Sequence, residues 1–514
     1  MRENPLALRS AGILLHPTSL PGPPALGDLG PCSRSFVDFL EKAGQTFWQM
    51  LPIHPIGAGD SPYDSPSAFA GATHLISLED LALWGLLSSA DLRGLSVDKT
   101  PGQADFERAR RERPALLKKA FVAFRLQATR ELAQDYERFL ATHNSWVWDF
   151  ALYSALKNEA DQLPWTAWPR ELRRREPSAL EAAYQRLTDQ VQYEVFLQFC
   201  FHQQWDALRH HARERGVQLM GDMPMFVAHD SVDVWANQRL FFLDEEGGRT
   251  VQAGVPPDYF SEKGQLWGNP LYRWDAMRQD GYGWWIDRLR RELSKFDAVR
   301  LDHFIAFSRY WEVPIDAESA KTGRYVEGPG YDFFERAGVA LGGLPLVAED
   351  LGIVTHEVEL LRDHFRLPGM KVLQFAFNPG AEGYLPHRHG ENSVAYTGTH
   401  DNNTSRGWYE ALLRRSVELL PEQLELSRVQ AFSGALSAHD LSWSLIRSLY
   451  ASTARTAIVP VQDVLNLGEA YRMNVPGVGH GNWAYRVLED QLTDEIAERL
   501  RALALVTERL PTRS

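Results

Sequence analysis

The chain has 514 residues, is 44% hydrophobic and 24% charged, and carries a formal net charge of −13. This is ordinary globular composition, and the length holds one large domain with insertions or several smaller ones. The acidic balance argues against nucleic acid or an anionic membrane face as a partner. No stretch approaches the roughly 18 apolar residues of a membrane span. Met1–Ser10 lacks a signal-peptide core, and two cysteines, Cys32 and Cys200, form no metal or redox spacing. A soluble, cytoplasmic chain is expected.

Residues 11–16, apolar and closed by Pro17, predict a buried strand. Residues 33–43 predict a helix with Ser33 as N-cap. A second strand is expected at 46–53, followed by a loop carrying Gly59-Asp-Ser-Pro-Tyr63. From about 80 to 215 the texture becomes helical, as in 114–142 and 178–215, and Val195–Phe201 is apolar nearly all round. This reads as a mostly helical insertion without concentrated chemistry.

Strands then return at 217–222, 297–302, 344–349, 371–377, 393–400 and 456–463. Helical patterns lie between most of them, for example 284–294, 355–364 and 406–418. Eight strands alternating with helices predict an α/β fold, a (β/α)₈ TIM barrel with large helical and loop insertions in its βα loops. The whole chain, 1–514, then forms one catalytic barrel domain, interrupted by the insertion at 80–215 and a lid or insertion segment at 223–295. A doubly wound open sheet is the competitor, but no Gly-rich phosphate loop follows the first strand.

Acids recur where strands end: Asp222, Asp302, Glu349, Asp401 (just past the seventh) and Asp463. One such acid is usually a cap or an ion pair. Several, gathered by barrel closure, are better explained by a shared site. Arg300 and His303 flank Asp302, and His400 precedes Asp401. Cations beside carboxylates hold them ionised, which suits a nucleophile. Glu349 follows the apolar run Leu346-Val347-Ala348, and a poorly solvated acid suits a proton donor. Two carboxylates with different protonation duties are what glycoside cleavage requires. Metal binding is the rival use of clustered Asp and His, and His387-Arg-His389 has that look. No ligand spacing supports it, so no metal is expected.

The strings Arg-Leu-Asp-His-Phe at 300–304, Glu349-Asp350 and His400-Asp401 resemble the short conserved regions of the α-amylase superfamily. Longer strings are similar to the amylomaltase family, the 4-α-glucanotransferases. These are Gly59–Tyr63, Gly221–Ser231, the run from Gly254 through Asp258 to Ser261, Trp267–Tyr272, Thr397–Thr404 and Arg472–Gly477. They run in order along nearly the whole chain.

The resemblance implies retaining double displacement on α-1,4-glucans. Asp302 would be the nucleophile, Glu349 the general acid/base and Asp401 the transition-state stabiliser. It further implies substrate-binding or supporting roles for Tyr63, Asp222, Asp258, Trp267, Arg300, His303, His400 and Asn474. Tyr63 and Asp222 would line the donor subsite and Trp267 would stack on the glucan. Maltooligosaccharides, amylose or glycogen-derived glucans would be donor and acceptor, with no cofactor, nucleic acid, membrane or obligate protein partner. Residues 247–272 and 472–482 are lid candidates. The resemblance departs at Ala58, where members of the family often carry an aromatic at a remote glucan-binding site, so that site is not carried over. An α-glucan hydrolase and a non-catalytic carbohydrate-binding barrel remain as alternatives; the products formed from maltotriose separate them.

Overall fold

The computed structural model describes residues 4–57, 59–95, 101–257, 262–417, 419–435 and 437–511. Ala58 and Asp258, both raised by the sequence, lie outside the described residues. Twelve strands occur among the described residues: β1 (Ser10–Leu14), β2 (Phe47–Gln49), β3 (Gln218–Met223), β4 (Val251–Val255), β5 (Gln265–Leu266), β6 (Ala298–Leu301), β7 (Arg309–Pro314), β8 (Arg324–Glu327), β9 (Leu346–Ala348), β10 (Gly369–Val372), β11 (Ser393–Tyr396) and β12 (Thr456–Pro460).

Eight of these close into a parallel barrel in the order β1-β2-β3-β6-β9-β10-β11-β12, with β12 returning to β1. They correspond to the eight expected strands, most of them shorter and with starts shifted by at most two residues. Strands covered on both faces must be apolar along their length, and nearly every residue of β1, β6, β9, β11 and β12 is buried. The sixth barrel strand starts earlier than expected and stops at Val372, where Leu373–Phe377 turns as a 3₁₀ segment. A Cβ on Gly369 would lie 2.5 Å from Asp350 Oδ2, so a glycine lets β10 begin against that carboxylate. The first helix also starts early, at Pro31 with Gly30 as N-cap. Proline at the first helical position sets the start. Ser33 lies inside the helix and donates to the Asp28 carbonyl at 2.5 Å.

Between β2 and β3 lie several helices, including Phe106–Gln127, Arg130–His143, Val147–Glu159 and Thr188–Glu214. The expected run 114–142 is two helices, broken where Thr129 caps the second. Val195–Phe201 is buried on every side. Two glutamines of the long helix clamp the loop after β2. Gln198 exchanges two hydrogen bonds with Gly71, at 2.7 and 3.0 Å, and Gln204 does the same with Ser77, at 2.6 and 3.0 Å.

The sequence reading does not contain the second sheet. It is antiparallel, ordered β5-β4-β7-β8, with its strands drawn from the segments after β3 and after β6. Strands β4 and β5 lie within the expected lid segment 247–272, and the pairing of β4 with β7 ties that segment to the stretch after β6. Among the described residues, no helix is long and apolar enough to cross a membrane.

Candidate active site

The C-terminal ends of the barrel strands open into a cleft of about 1000 Å³. Its wall includes Tyr63, Trp267, Arg300, Asp302, His303, Glu349, His400, Asp401 and Asn474. Register explains the convergence. Asp222 on β3 and Arg300 on β6 are direct cross-strand partners, and Arg300 pairs in turn with Val347 on β9, two residues before Glu349.

Arg300 is the electrostatic centre. Its Nη1 donates to both oxygens of Asp222, at 2.8 and 2.9 Å, and lies 2.9 Å from Asp302 Oδ1. Its Nε donates to the thioether of Met370 at 3.4 Å. Burial opposes the guanidinium charge, but Asp222 and Asp302 outweigh it and raise the Arg300 pKa well above its ordinary value. Asp222 is fully buried, which raises its carboxyl, and Arg300 pulls the other way. Tyr63 completes the cluster, donating its hydroxyl to Asp222 Oδ2 at 2.8 Å. The Tyr63 ring stacks on His400 at 5.2 Å.

Asp302 keeps 30% of its side chain exposed, so a ligand can reach it. Glu349 is buried. Its Oε2 accepts from the His303 N–H at 2.7 Å and its Oε1 from the Leu351 N–H at 2.9 Å. Burial pushes the Glu349 carboxyl up to about 7; Arg300 and the two N–H groups hold it back, while Asp302 adds to the rise. The pair therefore differs in solvation and in ionic partner within one cleft.

Asp401 sits on the turn after β11 with 45% of its side chain exposed. Asn474 Nδ2 donates to Asp401 Oδ1 at 2.6 Å, and His400 Nε2 lies 3.4 Å from Oδ2. Arg472 donates to the Asp401 carbonyl. The expected lid at 472–482 is thus stitched to the Asp401 turn. Its far end folds on itself through Asn482, which bonds Val475 N–H at 2.9 Å and the Val478 carbonyl at 2.8 Å.

Two expectations are corrected here. His303 was expected as a cation beside Asp302. Burial instead pushes its imidazole down to about 4, against the pull of Asp302, so at neutral pH the ring is uncharged. It packs edge-on to Trp267 at 4.9 Å, and its backbone, at φ +50°, presents the N–H to Glu349. Asp463 was grouped with the site acids. It is buried instead, accepting from Thr397 Oγ1 at 2.6 Å and from Ser405 N–H and Oγ at 2.6 and 2.7 Å. These bonds pin the turn after β11.

His389 turns its ring to the Tyr384 carbonyl at 2.8 Å. Among the described residues, no group of three or more His, Cys, Asp or Glu is placed to hold a metal ion. Sequence reasoning missed Trp483, which lines the cleft and lies 5.9 Å from Tyr63 and 6.1 Å from His400. It stands one residue past the expected lid, and only its position after a Gly-rich loop could have flagged it. Arg472 fell within a quoted string but was not singled out.

The family model described as 4-alpha-glucanotransferase matches residues 15–492 of this chain. The chain belongs to the 4-alpha-glucanotransferase family. It is 46% identical to the 4-alpha-glucanotransferase of Thermus thermophilus, across 98% of this chain and 99% of that one. It is 43% identical to the 4-alpha-glucanotransferase of Synechocystis, across 96% of each. Among solved structures, the amylomaltase from Streptococcus agalactiae in complex with acarbose superposes with a TM-score of 0.92 at 36% identity, covering 98% and 99%. The cleft brings Asp302 and Glu349 together from the ends of two adjacent barrel strands.

Proposed function

We propose that this 4-alpha-glucanotransferase works by retaining double displacement, with Asp302 as nucleophile, Glu349 as acid/base and Asp401 as transition-state stabiliser. The observation that carries the reading is the pairing of an accessible carboxylate salt-bridged to Arg300 with a buried carboxyl pushed up to about 7.

In the first half, an Asp302 oxygen attacks the anomeric carbon. The C1–O4 bond breaks and the leaving oxygen takes the Glu349 proton. Once Asp302 is esterified, its negative charge is gone. That charge helps raise Glu349, so its loss lowers Glu349 and readies it as a base. In the second half, an acceptor 4-hydroxyl attacks C1 and gives its proton to Glu349, and the ester to Asp302 breaks.

Tyr63 would meet a donor sugar at the cleft wall, with the fully buried Asp222 acting through it and Arg300, and Trp267, 37% exposed at the cleft wall, would stack on a sugar face. The proposed donors and acceptors are maltooligosaccharides, amylose or glycogen-derived glucans. The acarbose-bound relative supports an oligosaccharide in this cleft. We further propose one catalytic domain carrying the 80–215 and 223–295 insertions, since barrel strands from both sides of each close one sheet. Two free cysteines fit a cytoplasmic enzyme.

Maltotriose tests the reading. The wild type should yield glucose plus longer chains with new linkages in the α configuration. Asp302→Asn should stay folded and lose disproportionation. Near-normal turnover by that variant would overturn the assignment.

A further inference from the structure

A small cavity lies against the His400–Asp401 turn. Its volume is about 30 Å³. Thr399, His400 and Asn402 line both this cavity and the catalytic cleft, so the two spaces share a wall. The cavity's other walls include His16, Ser19, Asn403 and Tyr485. Four polar atoms of these residues are buried without a protein partner: His16 Nδ1, Ser19 Oγ, Asn403 Oδ1 and Tyr485 OH. His16, Ser19 and Tyr485 are each more than nine-tenths buried. Buried polar groups are almost always satisfied by protein or by ordered water.

The chemistry of the four atoms is complementary. Burial, helped by His400, pushes the His16 imidazole down to about 3, so the ring is neutral and carries one N–H. That N–H is engaged with the Leu51 carbonyl, which leaves Nδ1 as an acceptor. Asn403 Oδ1 is also an acceptor. The Ser19 and Tyr485 hydroxyls can each donate. A water molecule needs about 10–15 Å³ of such space and two to four polar partners. The cavity meets both requirements for about two waters.

We propose that this cavity holds a pair of ordered waters that form the floor of the His400–Asp401 turn, making His16, Ser19 and Tyr485 positioning residues for Asp401. Arg472, which also lines the cavity, and Asn474 already grip Asp401 directly. The waters brace the same turn through its backbone and His400. The positioning role rests on the proposed role of Asp401; the waters themselves do not.

A high-resolution crystal structure of the full-length enzyme tests the waters. Density within hydrogen-bond reach of His16 Nδ1, Ser19 Oγ and Tyr485 OH is expected, and an empty cavity would overturn the proposal. Kinetics test the role. Tyr485→Phe and Ser19→Ala should each lower kcat on maltotriose about tenfold. KM should change by less than about twofold, and the melting temperature should hold. Because both act through the same waters, the double variant should lose little more than either single one. Additive losses, or a fall in melting temperature with kcat intact, would contradict positioning. If Ser19→Ala fails to fold, Tyr485→Phe decides alone, and unchanged kcat overturns the role. Asp401→Asn serves as the reference. If it retains full activity, the assignment of Asp401 has failed and the waters stand on the crystal structure.

Discussion

The main-chain N–H of His303 donates to Glu349 Oε2 at 2.7 Å, so the residue that follows Asp302 also grips the partner acid. One short stretch at the end of β6 therefore sets both carboxylates. Arg300 anchors one, and the left-handed backbone of His303 anchors the other. A non-glycine residue in that conformation is uncommon and costs free energy. Here it turns the peptide toward Glu349.

The pH profile follows from the Glu349 carboxyl at about 7. Glycosylation needs the acid form, so kcat/KM should fall as pH rises through about 7. An α-maltosyl fluoride donor has a leaving group that needs no proton. With that donor, Glu349→Gln should still glycosylate the enzyme and should lack the alkaline limb. Persistence of the limb in the variant would assign it to another group.

Asn474 holds Asp401 Oδ1 at 2.6 Å. A hydrogen bond to a charged group contributes about 1.5–3 kcal/mol. Asn474→Ala should therefore lower kcat/KM roughly 10- to 100-fold. It should scarcely alter the melting temperature, because the side chain lies at the cleft wall. Steady-state kinetics on maltotriose check this.

Glu292 is buried between Lys295 at 2.7 Å and His54 at 3.2 Å. Burial pushes the Glu292 carboxyl up, but Lys295 and His54 outweigh it and hold it at about 2. Burial and Lys295 also push the His54 imidazole down, and Glu292 opposes that fall. Glu292 is depressed on folding. Its contribution, roughly 3 kcal/mol, is present above about pH 4.5 and is lost as pH falls toward 2. Lys295→Met should cost about 3–5 kcal/mol at pH 7 by stranding a buried carboxylate. It should also flatten the acid side of the stability profile. Calorimetry between pH 3 and 7 would measure both effects.

Gln198 bonds both the N–H and the carbonyl of Gly71. Gln198→Ala leaves two buried backbone groups unpaired, at about 1–3 kcal/mol each. The melting temperature should fall by several degrees while KM for maltotriose stays near the wild-type value.

The barrel was legible because most of its strand residues are apolar and buried, and five of the eight expected strands end in or lead into an acid. The β5-β4-β7-β8 sheet was not. Its strands are short and partly exposed, as at Gln265–Leu266, and they pair segments some sixty residues apart, such as Ala253 with Glu312. No local pattern encodes that pairing. That Asp302, Glu349 and Asp401 converge on one cleft was legible from strand-end position and from resemblance. Asp463 looks the same locally, and only its distant partners Thr397 and Ser405 remove it from the site. His303 shows the same limit, since its charge depends on an enclosure by Trp267 and Phe226 that sequence spacing cannot express.

The most direct test of the central claim is to trap the glycosyl-enzyme. Incubating Glu349→Gln with α-maltosyl fluoride should let the ester form and slow its breakdown. Digestion and mass spectrometry should then place one maltosyl unit on the peptide carrying Asp302. A maltosyl unit on any other residue, or rapid fluoride release with no adduct and an inverted product, would contradict the account.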